Sequence, residues 1–260
     1  MTSDLLVDRS PPILTVTVNR GKANAIDAAT SREMANVFIE FRDDPGYRVA
    51  IVTGAGEKFF SAGWDLAGAA AGEEFDSDFG SGGFGGYPEL SGLHKPVICA
   101  VNGLAVGGAF EMVLAAHLVV AAEHAEFFLP EARLGFIPDL GSILLPRLLP
   151  RQLANELLLG VRRLSAAEAL SFGLVNRVVP GPEVMAGALT MASEVIAAAP
   201  LAVAAILELA ERTWSLSVAD GYRLMRSGEV EAYQEMLASS DSKEGPRAFT
   251  EKRPPRWEER

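Results

Sequence analysis

The sequence contains little of what secreted, disulfide-stabilised or membrane-spanning proteins require. Its 260 residues include one cysteine, Cys99, so the chain cannot form an internal disulfide, which is usual in reducing compartments. The opening segment, MTSDLLVDRS, has neither the charged nor the apolar region of a signal peptide. The longest apolar stretch, residues 97–122, is interrupted by glycines and contains Asn102, Glu111 and His117, which argues against a membrane span. We therefore expect a cytoplasmic protein.

Positive charge is also scarce. Lys and Arg number 23 against 34 Asp and Glu, which gives a formal net charge of −11 and a pI near 4.8. An acidic surface repels the phosphates of nucleic acids and of anionic lipids. Neither nucleic acid nor a membrane is therefore an expected partner.

Several motifs that would identify a chemistry are missing. The sequence has no P-loop, no G-x-S-x-G and no zinc motif, and its histidines (His94, His117 and His124) lack metal-ligand spacing, so no metal is expected. A G-x-G-x-x-G match starts at Gly80, but no strand precedes it and no helical run follows it. We interpret residues 67–92, which are rich in glycine and acid, as a mobile loop that serves as a linker or as a lid over a pocket.

What the sequence does contain is a regular alternation of apolar patterns. Apolar residues make up 49% of the chain, enough for a full core. Their spacing predicts strands at residues 13–18, 49–52 and 97–101, a helix at 27–41, and further helices at 182–199, 201–213 and 218–237. We predict one boundary, which separates an α/β core at residues 1–190 from a helical region at residues 191–260.

One glycine-bearing bend lies within residues 96–122. A β-branched apolar run leads to Gly107 and Gly108, and a helix of small residues that carries Glu111 follows. The first N–H groups of a helix lack partners within it, so this bend offers main-chain donors to a negative charge. Glu111 enters an apolar helix, where desolvation should raise its pKa. The alternative is that Glu111 only caps its helix and remains solvated.

Residues 53–66 repeat this theme of strand, small residues and helix start. Two sets of main-chain donors that converge on one oxygen would form an oxyanion hole. Glu131 adds a second shielded carboxyl, since it follows Pro130 in an apolar segment. Glu111 and Glu131 are therefore a candidate acid/base pair, although paired glutamates also occur as ordinary surface charge.

Six segments carry a resemblance to a known family: NRGKANAID, TGAGEKFFSAGWDL, KPVICAVNGLAVGGAFE, LPEARLGFIPD, GLVNRVV and EGPRAFTEKRPPRW. In order and spacing they resemble the crotonase, or enoyl-CoA hydratase/isomerase, superfamily over nearly the whole chain. The resemblance implies an α/β fold of crotonase type, a spiral of repeated β-β-α units with a C-terminal helical trimerisation region. It also implies that Glu111 and Glu131 are catalytic, and that the main-chain N–H groups of Ala62 and Gly108 form the oxyanion hole.

The same resemblance implies an acyl-CoA thioester substrate, no cofactor beyond the coenzyme A of that substrate, and a homotrimer or a dimer of trimers. The residues that it places along the CoA arm, at the acyl pocket or near the adenine are Lys22, Ala23, Trp64, Asp65, Leu66, Asp139, Phe249 and Lys252.

Five segments resemble in particular those family members that dehydrate an acyl-CoA bearing a trimethylammonium group: KANAIDA, FRDDP, EKFFSAGWDL, RSGEVEAY and EGPRAF. For such a substrate we hypothesise a cage formed by Trp64, Phe84 or Tyr87, assisted by Asp139, because quaternary cations favour aromatic faces.

Three alternatives remain open: a general short-chain enoyl-CoA hydratase, an enoyl-CoA isomerase, and a non-catalytic homologue that binds acyl-CoA. Leu140 and Ser142 depart from the paired-glycine turn common in the family, and this departure favours the last.

Overall fold

A computed structural model of the chain describes residues 3–258. The described chain divides into two compact units, one formed by the residues up to Ser91 with Pro96–Ala192, the other by Gly92–Lys95 with the residues from Ser193 onward. The outermost residues of the two predicted regions, 1–2 and 259–260, lie outside the described range.

The strands are β1 Leu5–Ser10, β2 Ile13–Val18, β3 Val49–Gly54, β4 Phe59–Ser61, β5 Val97–Val101, β6 Leu104–Val106, β7 Leu118–Ala122, β8 Glu126–Phe128, β9 Leu164–Ser165 and β10 Arg177–Val179. The helices are α1 Ala28–Asp43, α2 Leu66–Ala70, α3 Gly108–Ala115, α4 Glu131–Leu134, α5 Asp139–Leu148, α6 Arg151–Leu158, α7 Ala166–Ser171, α8 Val184–Ile196, α9 Pro200–Thr213, α10 Val218–Arg226, α11 Glu231–Ala238 and α12 Asp241–Glu251.

The larger sheet has six strands in the order β1-β2-β3-β5-β7-β10. A β1–β2 hairpin pairs antiparallel, and every other neighbouring pair is parallel. All residues of β3 and β5 are buried, as expected for parallel strands covered on both faces. These continuous apolar runs form the centre of the core.

The smaller sheet, in the order β4-β6-β8-β9, positions the candidate site. Strands β4, β6 and β8 are parallel, so their carboxyl ends lie at the same edge of the sheet. The chain leaves β4 toward Trp64, leaves β6 toward Gly107, and leaves β8 toward Glu131. The three segments with predicted site residues therefore emerge side by side.

Local side-chain caps fix the starts of two helices in the first unit. Asp27 caps α1 by accepting from the main-chain N–H of Thr30, and Ser165 and Glu168 form a reciprocal capping box at α7. The predicted strand at residues 13–18 is confirmed as β2. Strand β6, three residues long and hidden between two glycine bends, was not predicted.

The prediction of one helix over residues 218–237 is wrong. The chain breaks between α10 and α11, where Gly228 adopts φ +88°. The carboxylate of Glu208 then accepts from the main-chain N–H groups of Glu231 and Ala232, which satisfies the exposed start of α11. A side chain distant in sequence therefore stabilises a helix end.

Over residues 3–258, no single helix is sufficiently long and apolar to cross a membrane. One bent pair, Gly181–Ile196 with Pro200–Thr213, meets the criteria of length and composition, and nothing beyond these criteria supports a span.

Candidate active site

A pocket of about 110 Å³ opens at the edge where β4, β6 and β8 end. Its lining is mainly apolar, with several aromatic rings and four carboxyl groups. The lining residues are Ala62, Trp64, Leu66, Phe75, Phe79, Phe84, Glu89, Gly107, Gly108, Glu111, Pro130, Glu131, Leu134, Phe136, Ile137 and Asp139. The pocket therefore brings Glu111 and Glu131 together, although twenty positions separate them in the sequence.

Glu111 lies in the first turn of α3 and points to the start of α5. Its Oε1 accepts a hydrogen bond of 2.8 Å from the main-chain N–H of Gly141. Burial raises the pKa of Glu111 from 4.5 to about 7, the Gly141 hydrogen bond opposes this shift, and the charges of Glu131 and Asp139 add to it. The α5 start has no side-chain cap of its own. The carboxyl group of Glu111 therefore caps the start of α5, and this hydrogen bond fixes the position of the carboxyl group.

Glu131 is the first residue of α4 and is 9% exposed. Burial raises its pKa from 4.5 to about 7, its own main-chain N–H opposes the shift, and Asp139 adds to it. Its Oε2 is buried and has no hydrogen-bond partner among the described residues. A buried carboxyl oxygen without a partner is costly, and such atoms are characteristic of sites that bind or react with a ligand.

The glycine pair between β6 and α3 allows the backbone to approach both the carboxyl group and an aromatic ring. Gly107 adopts φ +59°, ψ −131°, and a Cβ built there would lie 2.6 Å from Oε1 of Glu131. A Cβ on Gly108 would lie 2.6 Å from Cε1 of Phe84. A side chain at Gly107 would combine a positive φ with a clash against the Glu131 carboxyl group, and one at Gly108 would displace the Phe84 ring, so substitution at either position would disturb the pocket.

The structure corrects one predicted donor. The main-chain N–H of Ala62 donates to the carbonyl oxygen of Ala23 at 2.9 Å, so it is not available to a ligand. Gly63 and Asp65, the neighbours of Trp64, are also committed, since their N–H groups donate to Ser61 Oγ and to the carbonyl oxygen of Ile26. Sequence reasoning therefore chose an amide that the fold uses internally.

The amide of Trp64 is the alternative that sequence reasoning missed. No described residue accepts a hydrogen bond from the main-chain N–H of Trp64, and the same holds for Gly108. The two segments are in contact, because a Cβ built on Gly63, at φ +78°, would lie 3.1 Å from the main-chain nitrogen of Gly108. The pocket therefore has two neighbouring main-chain donors, one after β4 and one after β6.

A polar network holds the Trp64 segment in place. Arg20 binds Asp65 at 2.6 Å through one guanidinium nitrogen and Asp27 at 2.6 Å through another. The buried Asn24 accepts at its carbonyl oxygen from Ser61 Oγ, and its side-chain amide donates to the carbonyl oxygens of Ala55 and Phe59. These bonds fix the turn that carries the Trp64 N–H.

Not all predicted binding residues line this pocket. Trp64, Leu66 and Asp139 do, whereas the carboxylate of Asp65 caps α2 and binds Arg20, and that guanidinium lowers the pKa of Asp65. Lys22 is exposed in the turn before Asn24, next to the half-buried Ala23.

Two further predicted residues belong to the second unit. Phe249 lies in the last turn of α12 and is 86% exposed, and Lys252 is the C-cap of that helix. Their assignment to the adenine end of coenzyme A stays a prediction.

The aromatic lining differs from the hypothesised cage. Tyr87 is wrong as a member, because its ring is buried and its hydroxyl donates to the carbonyl oxygen of Met112 in the core. Phe75 and Phe136 were missed: their rings stack 5.0 Å apart, and both meet the ring of Trp64 edge to face. Isolated phenylalanines in loops carry no local signal of such a cluster.

Comparisons with known proteins agree with this geometry. The family described as Enoyl-CoA hydratase/isomerase matches residues 8–260. Two relatives named carnitinyl-CoA dehydratase are each 54% identical to this chain, one from Salmonella arizonae over 99% of both proteins, the other from Salmonella enteritidis PT4 over 100% of both. The crystal structure of an enoyl-CoA hydratase from Mycobacterium marinum has a TM-score of 0.88 and 36% identity, and the match covers 99% of each chain. A second enoyl-CoA hydratase structure, from Mycobacterium tuberculosis H37Rv, also has a TM-score of 0.88, with 35% identity and the same coverage.

Proposed function

Because the chain belongs to the enoyl-CoA hydratase/isomerase family, we propose that it interconverts carnitinyl-CoA and crotonobetainyl-CoA. Its class of reaction is the addition or removal of water across the 2,3 double bond of an enoyl-CoA thioester. The specific substrate is supported by the two full-length relatives named carnitinyl-CoA dehydratase. The observation that carries the proposal is one pocket with two shielded carboxyl groups and two main-chain donors that no residue of 3–258 accepts from.

The first step of dehydration would be removal of the α-proton of the thioester. The electrons then move onto the carbonyl oxygen and form an enolate. The N–H groups of Trp64 and Gly108 would donate to that oxygen, with Gly108 at the positive end of α3. Donors fixed before the reaction stabilise charge that develops in the transition state, and removal of one such donor typically slows a reaction by roughly 10²–10³-fold.

Glu111 and Glu131 would divide the proton transfers. One carboxylate removes the α-proton, and the other carboxyl group protonates the departing β-hydroxyl, which leaves as water. Hydration runs the same steps in reverse. Both pKa values lie at about 7, so near neutral pH the pair can hold one proton and supply one acid together with one base.

Leu140 and Ser142 depart from the paired-glycine turn common in the family, which favours a non-catalytic homologue on sequence grounds. The hydrogen bonding of this turn weakens that argument. In the α5 turn the group that contacts Glu111 is the main-chain N–H of Gly141, which does not depend on the neighbouring side chains. An isomerase needs proton transfer but no water. Oε2 of Glu131 has no hydrogen-bond partner within residues 3–258 and can bind water, which favours hydration over isomerisation.

The test is to supply crotonobetainyl-CoA, crotonyl-CoA and a 3-enoyl-CoA separately and to follow water addition and double-bond position by mass spectrometry and NMR. We expect hydration of crotonobetainyl-CoA with the highest kcat/KM. Glu111→Gln and Glu131→Gln should each lower kcat by roughly 10²–10⁴-fold. Glu33→Gln, at an exposed position of α1, is the control and should keep wild-type activity. Tight binding of all three thioesters without any product would refute the proposal.

We also propose that the chain acts in the cytoplasm as a homotrimer or a dimer of trimers and needs no cofactor beyond the coenzyme A of its substrate. The second unit exposes large apolar side chains, including Ile206, Trp214 and Val218, that a partner subunit could cover. Light scattering after size-exclusion chromatography would give the mass, and a monomer at micromolar concentration would contradict the assembly.

A further inference from the structure

The charged side chains that line the pocket are all acidic. Glu89, Glu111, Glu131 and Asp139 all line it, and the described lining contains no Lys, Arg or His. The proposed reaction uses two of these carboxyl groups. Glu89 and Asp139 are therefore additional negative charges, which a neutral straight acyl chain would leave without compensation.

The charges of Glu89 and Asp139 are not neutralised within the described part of the chain. Neither forms an ion pair with any residue between 3 and 258, whereas Asp65 binds Arg20 at 2.6 Å. Both are exposed, whereas Glu131 is buried, so they lie on the solvent side of the site. Partial burial against the pocket wall and the nearby charge of Glu89 raise the pKa of Asp139, which indicates that the two carboxyl groups face a common space.

The glycine-rich loop gives Glu89 a defined position. Gly83 adopts φ +67°, and the carboxyl group of Glu89 lies directly against its Cα, where no Cβ would fit. The next residue, Phe84, packs on Gly108 of the donor bend. The glycine-rich loop therefore brings one ring, Phe84, and one carboxyl group, Glu89, to the pocket.

Aromatic rings line the same pocket as these two carboxyl groups. The indole N–H of Trp64 donates to Glu73 at 2.6 Å, which fixes the ring beside Phe75 and Phe136. Ring faces attract cations, and quaternary ammonium groups combine charge with apolar methyl groups. In the same pocket, Oε2 of Glu131, on a side chain that is nine-tenths buried, lacks any described partner and independently indicates that a ligand enters.

We propose that Asp139 and Glu89, with the rings of Trp64 and Phe136, form a subsite for the quaternary ammonium end of the acyl chain. The carboxylates supply long-range attraction and the rings contact the methyl groups. The inference deepens the proposed function and rests on it for the identity of the acyl group. It makes Asp139 and Glu89 specificity-determining residues rather than catalytic ones.

The experiment measures binding, so that it does not depend on turnover. Two saturated acyl-CoA probes are compared by isothermal titration calorimetry: one ends in trimethylammonium, the other in a tert-butyl group of the same shape. Neither has a double bond to hydrate. We expect the wild type to bind the cationic probe at least about tenfold more tightly, and Asp139→Asn to remove most of this preference, with a smaller loss in Glu89→Gln.

Asp76→Asn is the matched control, because Asp76 is an exposed acid next to Phe75 that does not line the pocket. This variant should keep the wild-type preference for the cationic probe. All variants should bind the tert-butyl probe with wild-type affinity. Equal binding of the two probes by the wild type, or an unchanged preference in the Asp139→Asn Glu89→Gln double variant, would overturn the subsite. A wild type that prefers the cation but never hydrates crotonobetainyl-CoA would support the subsite and refute the proposed function.

Discussion

Gly107→Ala tests the geometry of the acid/base pair most directly. Gly107 combines φ +59° with ψ −131°, a region that other residues occupy only with strain of roughly 1–3 kcal/mol. The added Cβ would lie 2.6 Å from Oε1 of Glu131, whereas ordinary contact begins at 3.4 Å. The carboxyl group would therefore have to move by about 0.8 Å, and a displacement near 1 Å can slow a reaction roughly 10²-fold.

The assay compares kcat on crotonobetainyl-CoA with the unfolding midpoint in urea for Gly107→Ala and Gly135→Ala. Gly135 ends the short helix that begins with Glu131, has φ +87°, and has open space where a Cβ would lie. Both variants should lose stability through backbone strain, but only Gly107→Ala should lose about 10²-fold in kcat. A Gly107→Ala enzyme that folds and keeps kcat within about threefold of the wild type would refute the assigned position of Glu131.

Three further predictions concern stability. Because burial raises the pKa of Glu111 from 4.5 to about 7, the folded state retains a proton that the unfolded chain loses, and wild-type stability should fall as pH rises through this window. In urea titrations, the free energy of unfolding of Glu111→Gln should therefore exceed that of the wild type by up to about 3 kcal/mol at pH 8 and by almost nothing near pH 4.5. A difference that does not depend on pH would contradict this. Arg20→Gln leaves the half-buried Asp65 without its partner and should destabilise the protein by about 1–3 kcal/mol and lower kcat. The control Arg9→Gln breaks an exposed ion pair and should change stability by less than about 1 kcal/mol. Equal effects of the two substitutions would exclude a special role for Arg20. Ser165→Ala removes half of a capping box and should lower thermal stability by about 1 kcal/mol, and no change in the melting temperature would contradict that contribution.

The paired glutamates illustrate a conflict between stability and chemistry. Two carboxyl groups shielded from water hold pKa values suited to proton transfer at neutral pH, but charging them in a dry site opposes folding. The main-chain N–H of Gly141 offsets part of this cost for Glu111, while Oε2 of Glu131 has no such compensation among the described residues. The pocket is therefore a place where substitution toward neutrality should stabilise the protein and remove its activity.

The sequence alone determined the features that depend on local interactions. Alternating or continuous apolar runs predicted the strands that became β2, β3 and β5, and the cap of α7 could be read from Ser165 and Glu168. Six motif segments were sufficient to indicate the family and its α/β fold, which the family match and the solved structures confirm. These signals are local because hydrophobic periodicity and capping involve residues within a few positions of one another.

Only the tertiary structure decided which of the local candidates are free to act. Whether an amide can bind a ligand depends on a strand or turn far away in sequence, so the N–H of Ala62 donates to Ala23, while the N–H of Trp64 has no acceptor in the part of the chain that the structure describes. The same holds for Tyr87, which the packing places in the core, and for Phe136, which it places in the pocket. Hydrogen-bond partners and burial are properties of the folded surroundings, because segments that are distant in the chain meet only when the sheet brings their ends together.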